Sequence, residues 1–240
     1  MQNEENKITV LVVDDSNIIR QYLRNFFNSY NIEVVTCNNG LDGIEKAVEH
    51  KPVLIFLDLM MPNLDGIKML QVVKRLDNIK NIPVIVISGN TNRSNVLASI
   101  ESGAEKVISK PLQKELIIKS VNEILGNDFL ERYRKGEVLP SLSTDEITDE
   151  LCRLFLKSYP FKRDAMIESL LMKDKEKLRN VAHEIRGAGG TIGFPKLTEL
   201  GGTIEAAAEM DSVDWTHATK MCDEMFAFID EIEKSLSIIE

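Results

Sequence analysis

Five polar residues stand where short apolar runs end. TVLVV closes on Asp14 and Asp15, LIFL on Asp58, and VIVI on Ser88, while KVIS runs directly into Lys110. The runs are rich in Val and Ile, the composition of β-strands. In a parallel α/β sheet ligands collect outside the carboxyl ends of the strands, so these groups are expected to converge there. Three crowded carboxylates repel, and one of them would ordinarily keep its proton. A divalent cation resolves that conflict, and hard Mg²⁺ favours carboxylates, water and phosphate oxygens. With the metal and Lys110 neutralising charge, Asp58 can act as a nucleophile toward a phosphoryl donor. Ser88 can hydrogen-bond a phosphate oxygen, and Lys110 supplies a point charge. Taken singly these residues say little. Asp or Ser after a strand often caps the next helix, which is the preferred reading of Ser16 and one reading of Asp15.

A second chemical candidate lies in VAHEIRGAGGTIG, residues 181–193. Leu178, Val181, Ala182, Ile185, Ala188, Gly189 and Ile192 recur at helical spacing and define an expected buried face. At 100° per residue, His183 points roughly 160° from the centre of that stripe, so it is expected to face water. Arg179, Arg186, Gly187 and Gly190 share its outer side. Glycine inside a helix costs up to about 1 kcal/mol relative to alanine, so helix stability alone does not explain Gly187, Gly189, Gly190 and Gly193. A bare face would let another protein's backbone approach the imidazole, and the arginines suit an anion. The implied chemistry is transfer of a phosphoryl group to and from His183. His50 and His217 have no such setting.

The elements that must position these groups change character along the chain. Up to about residue 126, strand-like runs at 8–13, 32–37, 53–58, 83–88 and 106–109 alternate with amphipathic helices. The helices are marked by Ile18, Ile19, Tyr22, Leu23, Phe26 and Phe27, then by Leu41, Ile44, Ala47 and Val48, then by Ile67, Leu70, Val73 and Leu76. This alternation predicts a doubly wound α/β domain over 1–126, with a five-stranded parallel sheet covered on both faces. Residues 127–142, with Gly136 and Pro140, are expected to form a linker, helical at its FLERYRK start. From 143 to 240 no strand signal remains. Trp215, Ala218, Cys222, Met225, Ile229, Ile232 and Leu236 follow the spacing of a bundle seam, and Ser143 with Glu146 forms an expected capping box. A four-helix bundle is predicted.

Composition narrows the function. The formal charge of −9 disfavours non-specific binding to nucleic acid or anionic membranes. No apolar run has the length of a membrane span, and MQNEENK is not a signal peptide. The cysteines, Cys37, Cys152 and Cys222, form no metal or redox motif, which points to a reducing cytoplasm. No Gly-rich ATP loop occurs, so self-phosphorylation from ATP is not expected.

LVVDDS, LDLMMPNLDG, VISGN and ISKP, in this order, resemble the receiver domain of two-component response regulators (flavodoxin-like) over residues 7 to about 125. AHEIRGAGGTIGFPKLTELGGTIE resembles the core of histidine-containing phosphotransfer (HPt) domains, in which a basic residue and a glycine follow the histidine by three and four positions, as Arg186 and Gly187 do. The receiver resemblance implies that Asp58 is the phosphoacceptor and that Asp14, Asp15, Asp58 and the main chain at Met60 bind Mg²⁺. It also implies Ser88 as switch hydroxyl, Lys110 as phosphate contact and a cis bond before Pro111. Val107 stands where that family usually has Tyr or Phe, which weakens output through the adjoining surface. Together the resemblances imply a phosphorelay protein whose partners are a sensor histidine kinase and other receiver or HPt proteins, with oligomeric state open. Two alternatives stay open. One is a phosphorylation-dependent adaptor whose helical domain only docks partners. The other is a Mg²⁺-dependent aspartyl phosphohydrolase, which would want a carboxylate where Met60 stands.

Overall fold

The five Val- and Ile-rich runs form one parallel sheet in the computed structural model, which describes residues 8–61, 66–89, 93–134 and 144–237. The strands are β1 (Thr9–Val13), β2 (Glu33–Cys37), β3 (Leu54–Asp58), β4 (Val84–Ser88) and β5 (Lys106–Ser109), in the order β2-β1-β3-β4-β5. The central strands β3 and β4 are buried along their whole length, so they read as unbroken apolar runs rather than alternating ones. Between and after the strands lie α1 (Asn17–Asn28), α2 (Gly40–His50), α3 (Gly66–Val73), α4 (Arg93–Glu101) and α5 (Lys114–Leu125). Two apolar clusters flank the sheet. One joins Val10, Val12, Phe56 and Ile87 to Leu23, Phe27, Ile117 and Val121 of α1 and α5. The other joins Leu11, Val13, Leu57 and Val86 to Ala47, Met69 and Leu70 of α2 and α3.

The expected face of α2 is corrected. Leu41 is 72 % exposed and Val48 is also exposed, whereas Gly43 and Ala47 are buried. A Cβ on Gly43 would lie 2.8 Å from Met69 Cε and 3.0 Å from Val13 Cγ2. Ala47 and Ile44 pack against the core as expected, and Gly43 adds a close contact that apolar counting does not register.

The start of the expected linker is helical, as α6 (Phe129–Tyr133), but it does not prolong α5. Gly126, at φ 113°, ends α5. Phe129 and Leu130 then bury themselves in the α1/α5 cluster, and the Arg134 guanidinium stacks 5.5 Å from the Tyr30 ring centroid. The rest of that stretch, 135–142, and Ser143 of the expected capping box lie outside the described residues.

The chain divides into two compact units, Met1–Ile147 and Thr148–Glu240. Among the described residues the second is helical: α7 (Thr144–Met172), α8 (Lys175–Gly189), α9 (Pro195–Glu209) and α10 (Trp215–Ser237). The centre of the α10 seam is as expected, with Ala218, Cys222, Met225, Ile229 and Ile232 buried, while Trp215 and Leu236 at its ends are half-buried. Arg163 ties α7 to α10, pairing with Asp230 at 2.8 Å and stacking over Phe226. α8 and α9 approach closely through glycine. A Cβ on Gly189 would lie 2.6 Å from the Thr198 backbone nitrogen, and one on Gly201 would lie 2.9 Å from the Ala182 carbonyl oxygen. Thr198 Oγ1 staples the pair, accepting from Gly190 N–H at 2.8 Å and donating to the Arg186 carbonyl at 3.1 Å.

Candidate functional site

The carboxyl ends of β1, β3, β4 and β5 bring the expected polar residues together. Asp14, Asp58, Ser88 and Lys110 are all buried, and Asp15 is half-buried. Lys110 Nζ donates to Asp58 Oδ2 at 2.8 Å and lies 3.1 Å from Asp14 Oδ2. The Lys110 backbone is set by its N–H bond to the Ser88 carbonyl at 2.9 Å, and the Lys110–Pro111 peptide is cis as expected. Met60 N–H donates to Asp58 Oδ1 at 3.2 Å, and Ser16 N–H to Asp14 Oδ1 at 2.8 Å. The expected side-chain cap by Ser16 is not made; the Ser16 N–H is instead bound to the Asp14 carboxylate.

Burial, with repulsion from Asp58 and Asp15, pushes the Asp14 pKa up to about 7 against the pull of Lys110. Burial disfavours the Lys110 charge, but Asp14 and Asp58 outweigh it and hold that pKa above the ordinary lysine value. Asp14, Asp15 and Asp58 each offer an oxygen within 4.8 Å of the others. This donor set is hard and anionic, and a divalent cation would offset the mutual repulsion of the three carboxylates. The residues therefore fit Mg²⁺.

The second candidate is assembled differently from expectation. His183 is not on a water-facing surface: it is 5 % exposed. Gly187 is buried as well, and Arg179, Arg186 and Gly190 are half-buried. The helical wheel recognised one covered side of α8, but α9 covers another. His183 Nδ1 lies 2.9 Å from Glu205 Oε1, and Arg186 Nη1 donates to Glu205 Oε2 at 2.8 Å. Burial raises the Glu205 pKa, and the bonds and charges of His183 and Arg186 together outweigh it, holding the carboxyl below the ordinary glutamate range. Glu205 is the site residue that sequence reasoning missed. Its signal was present, because it is a lone carboxylate beside the stripe Leu197, Gly201, Ile204 and Ala208.

Residues 10–122 match the family model of the response regulator receiver domain, and residues 150–237 match that of the Hpt domain. The chain is 32 % identical over 118 residues to the chemotaxis protein CheY of Bacillus subtilis (strain 168), covering 49 % of this chain and 97 % of that protein. The chain belongs to the response regulator receiver family. Its second domain is an Hpt domain. Hybrid signal transduction histidine kinase D of Dictyostelium discoideum is 25 % identical over 204 residues, which is 82 % of this chain but 13 % of that protein. The solved structure of Vibrio cholerae chemotaxis protein CheY4 has 25 % identity and a TM-score of 0.47, covering 49 % of this chain and 98 % of its own. A receiver joined to an Hpt domain is a phosphorelay protein, built of phosphotransfer modules.

In the receiver, the acidic cluster is the pocket just described. Val107 pairs with Val86 on β4 and is half-buried. In the Hpt domain, the α8/α9 pair carries His183. Among the described residues, no helix is long and apolar enough to cross a membrane.

Proposed function

We propose that the chain accepts a phosphoryl group on Asp58 and exchanges phosphoryl groups through His183. The observation that carries this is the placement of Asp58 beside Lys110 at 2.8 Å in a buried acidic cluster. In the receiver reaction an Asp58 oxygen attacks phosphorus. The new P–O bond forms as the donor's P–N or P–O bond breaks, and the bonding pair leaves with the donor. Lys110, freed from its pair with Asp58, follows the charge onto the phosphoryl oxygens, and the Ser88 hydroxyl donates to one of them. Asp14, Asp15, Asp58 and the Met60 main chain would hold Mg²⁺, which supplies charge neutralisation at the transferring group. The reaction is self-catalysed and uses no ATP site.

In the Hpt reaction Glu205 accepts the Nδ1–H of His183, which leaves the lone pair on Nε2. Attack by Nε2 on a partner's aspartyl phosphate breaks its P–O bond, the pair leaving with the aspartate carboxylate, and gives a ring that is cationic and still protonated at Nδ1, whose charge Glu205 offsets. Returning the phosphoryl group restores neutral imidazole without any proton moving. Arg186 holds Glu205 from its other oxygen, and Arg179 and Arg186 attract the incoming phosphate. Gly187 and Gly190 keep the approach small. The partners are a sensor histidine kinase and other receiver or Hpt proteins, in the cytoplasm, where three buried free cysteines stay reduced. The domains run 1–126 and 143–240, with α6 adding to the first.

The test is labelling with acetyl phosphate and with a phosphorylated Hpt partner, comparing wild type, Asp58→Asn and His183→Gln. Loss of receiver label in Asp58→Asn but not in His183→Gln is expected, and label offered on a phosphorylated receiver partner should reach the Hpt domain in Asp58→Asn but not in His183→Gln. Undiminished labelling of Asp58→Asn at the receiver would refute the reading. If phosphorylated Asp58 changed partner binding while His183 never carried label, the adaptor reading would replace it.

A further inference from the structure

The helix that follows the first acidic pair opens without its usual cap. Ser16 sits at the N-cap of α1, yet its side chain caps no backbone N–H, and its own N–H is taken by Asp14 Oδ1. Asp14 thus has one oxygen committed to the helix start and the other turned toward Lys110. The main-chain carbonyls of Asp14 and Asp15 are both claimed by one side chain. Nη1 of Arg20, in the first turn of α1, donates to Asp14 O at 2.5 Å and to Asp15 O at 2.8 Å, while Nη2 reaches Asn17 Oδ1 at 3.4 Å. A single guanidinium therefore fixes both peptide groups from which the acidic side chains project. Its planar fork loses little freedom per bond. Mg²⁺ demands near-ideal octahedral geometry, so a carboxylate pair on a loose loop would have to be ordered at the moment of binding.

We propose that Arg20 is a positioning residue for the cation site, clamping the Asp14 and Asp15 backbone so that their carboxylates meet the metal already in place. This rests on the reading of Asp14, Asp15 and Asp58 as a Mg²⁺ site. A purely structural role, in which Arg20 only steadies the start of α1, is the competing account, and the two separate in the metal titration.

The experiment is calorimetric titration of the full chain with MgCl₂ for wild type, Arg20→Ala and Arg20→Lys, paired with thermal unfolding in EDTA and in saturating Mg²⁺. Loss of groups that orient metal ligands typically weakens affinity by about 10–100-fold, and that range is expected for Arg20→Ala. Arg20→Lys should fall between it and wild type, since an ammonium keeps the charge but not the fork. The gap in unfolding midpoint between wild type and Arg20→Ala should widen when Mg²⁺ is added. Affinity within twofold of wild type for both variants, with an equal midpoint gap in EDTA and in Mg²⁺, overturns the proposal and leaves the structural role. Should Arg20→Ala not fold, Arg20→Gln is judged by the same twofold criterion. A wild-type chain that binds no Mg²⁺ removes the metal reading and this proposal together. Wild-type binding with unchanged variants removes this proposal alone.

Discussion

Nδ1 of His183 lies 2.9 Å from Oε1 of Glu205, and both residues are buried. The carboxylate's other oxygen is held by Arg186, so turning Glu205 away would break that ion pair as well as the contact with His183. Glu205→Ala should slow phosphoryl acceptance by His183 at least tenfold. It should also destabilise the Hpt domain by roughly 1.5–3 kcal/mol, the range for hydrogen bonds to charged groups. Glu205→Gln keeps an acceptor for Nδ1–H but not the charge, and should fall between. Imidazole nitrogen chemical shifts should show the Nε2 lone-pair tautomer in wild type and a mixture in Glu205→Ala. An unchanged tautomer would show that Glu205 does not set it.

The same carboxylate gives a pH signature. Its folded pKa lies below the unfolded value of 4.5, so its stabilising contribution is present above that value and is lost as pH falls through the lowered pKa. Unfolding midpoints of wild type and Glu205→Gln should converge in acid and separate above about pH 5. A constant difference from pH 3 to 7 would contradict this.

Asp14 behaves with the opposite sign. Its pKa is raised from 3.8 to about 7, so in metal-free protein its contribution to stability is full below 3.8 and is lost as pH rises through about 7. Mg²⁺ must displace that proton. Apparent Mg²⁺ affinity should therefore rise up to about tenfold per pH unit below 7 and level off above it. Titrations between pH 5.5 and 8.5 would check the slope.

Lys110→Ala removes the ammonium that lies between Asp14 and Asp58. Taking away a competing cation should tighten Mg²⁺ binding, while labelling of Asp58 by acetyl phosphate should fall at least tenfold because the transferring charge loses its partner. Binding and labelling that weaken together would assign Lys110 to metal retention rather than to the phosphoryl group.

Gly201→Leu should cost the Hpt domain more than its helix propensity suggests. The new Cβ would lie 2.9 Å from both the Ala182 carbonyl oxygen and the Arg186 backbone nitrogen, so α9 must move away from α8. A stability loss of roughly 1–3 kcal/mol, the usual cost of overpacking, should come with loss of the His183–Glu205 bond. Denaturant unfolding and the imidazole spectrum measure the two effects.

The receiver was legible because its chemistry is written locally. Four of the five apolar runs end in or directly before a candidate residue, and the parallel strand order carries Asp14, Asp58, Ser88 and Lys110 to one edge of the sheet. The Hpt site was legible only in part. His183 and Arg186 are one turn apart on α8, but Glu205 is on α9, and nothing near residue 183 encodes how closely that helix approaches. The wheel of one helix knows its own stripe and not its second neighbour, which is why His183 was expected in water. Leu41 and Val48 were misread for a related reason: α2 meets the core through Gly43 beside Ala47 and Ile44, and contact through glycine carries no hydrophobic signal. Arg20 was invisible because its partners are backbone carbonyls, which every sequence has.

The glycine contact between α8 and α9 also ties the history of three positions together. A glutamate reaches the imidazole at position 183 because Gly189 and Gly201 bring the two helix axes close; with larger residues there, the same side chain would stop short. A substitution at either glycine thus devalues Glu205, whereas a change at 205 leaves the close packing at Gly189 and Gly201 in place. Residues 189, 201 and 205 form an epistatic unit, and double mutants among them should show effects far from the sum of the singles.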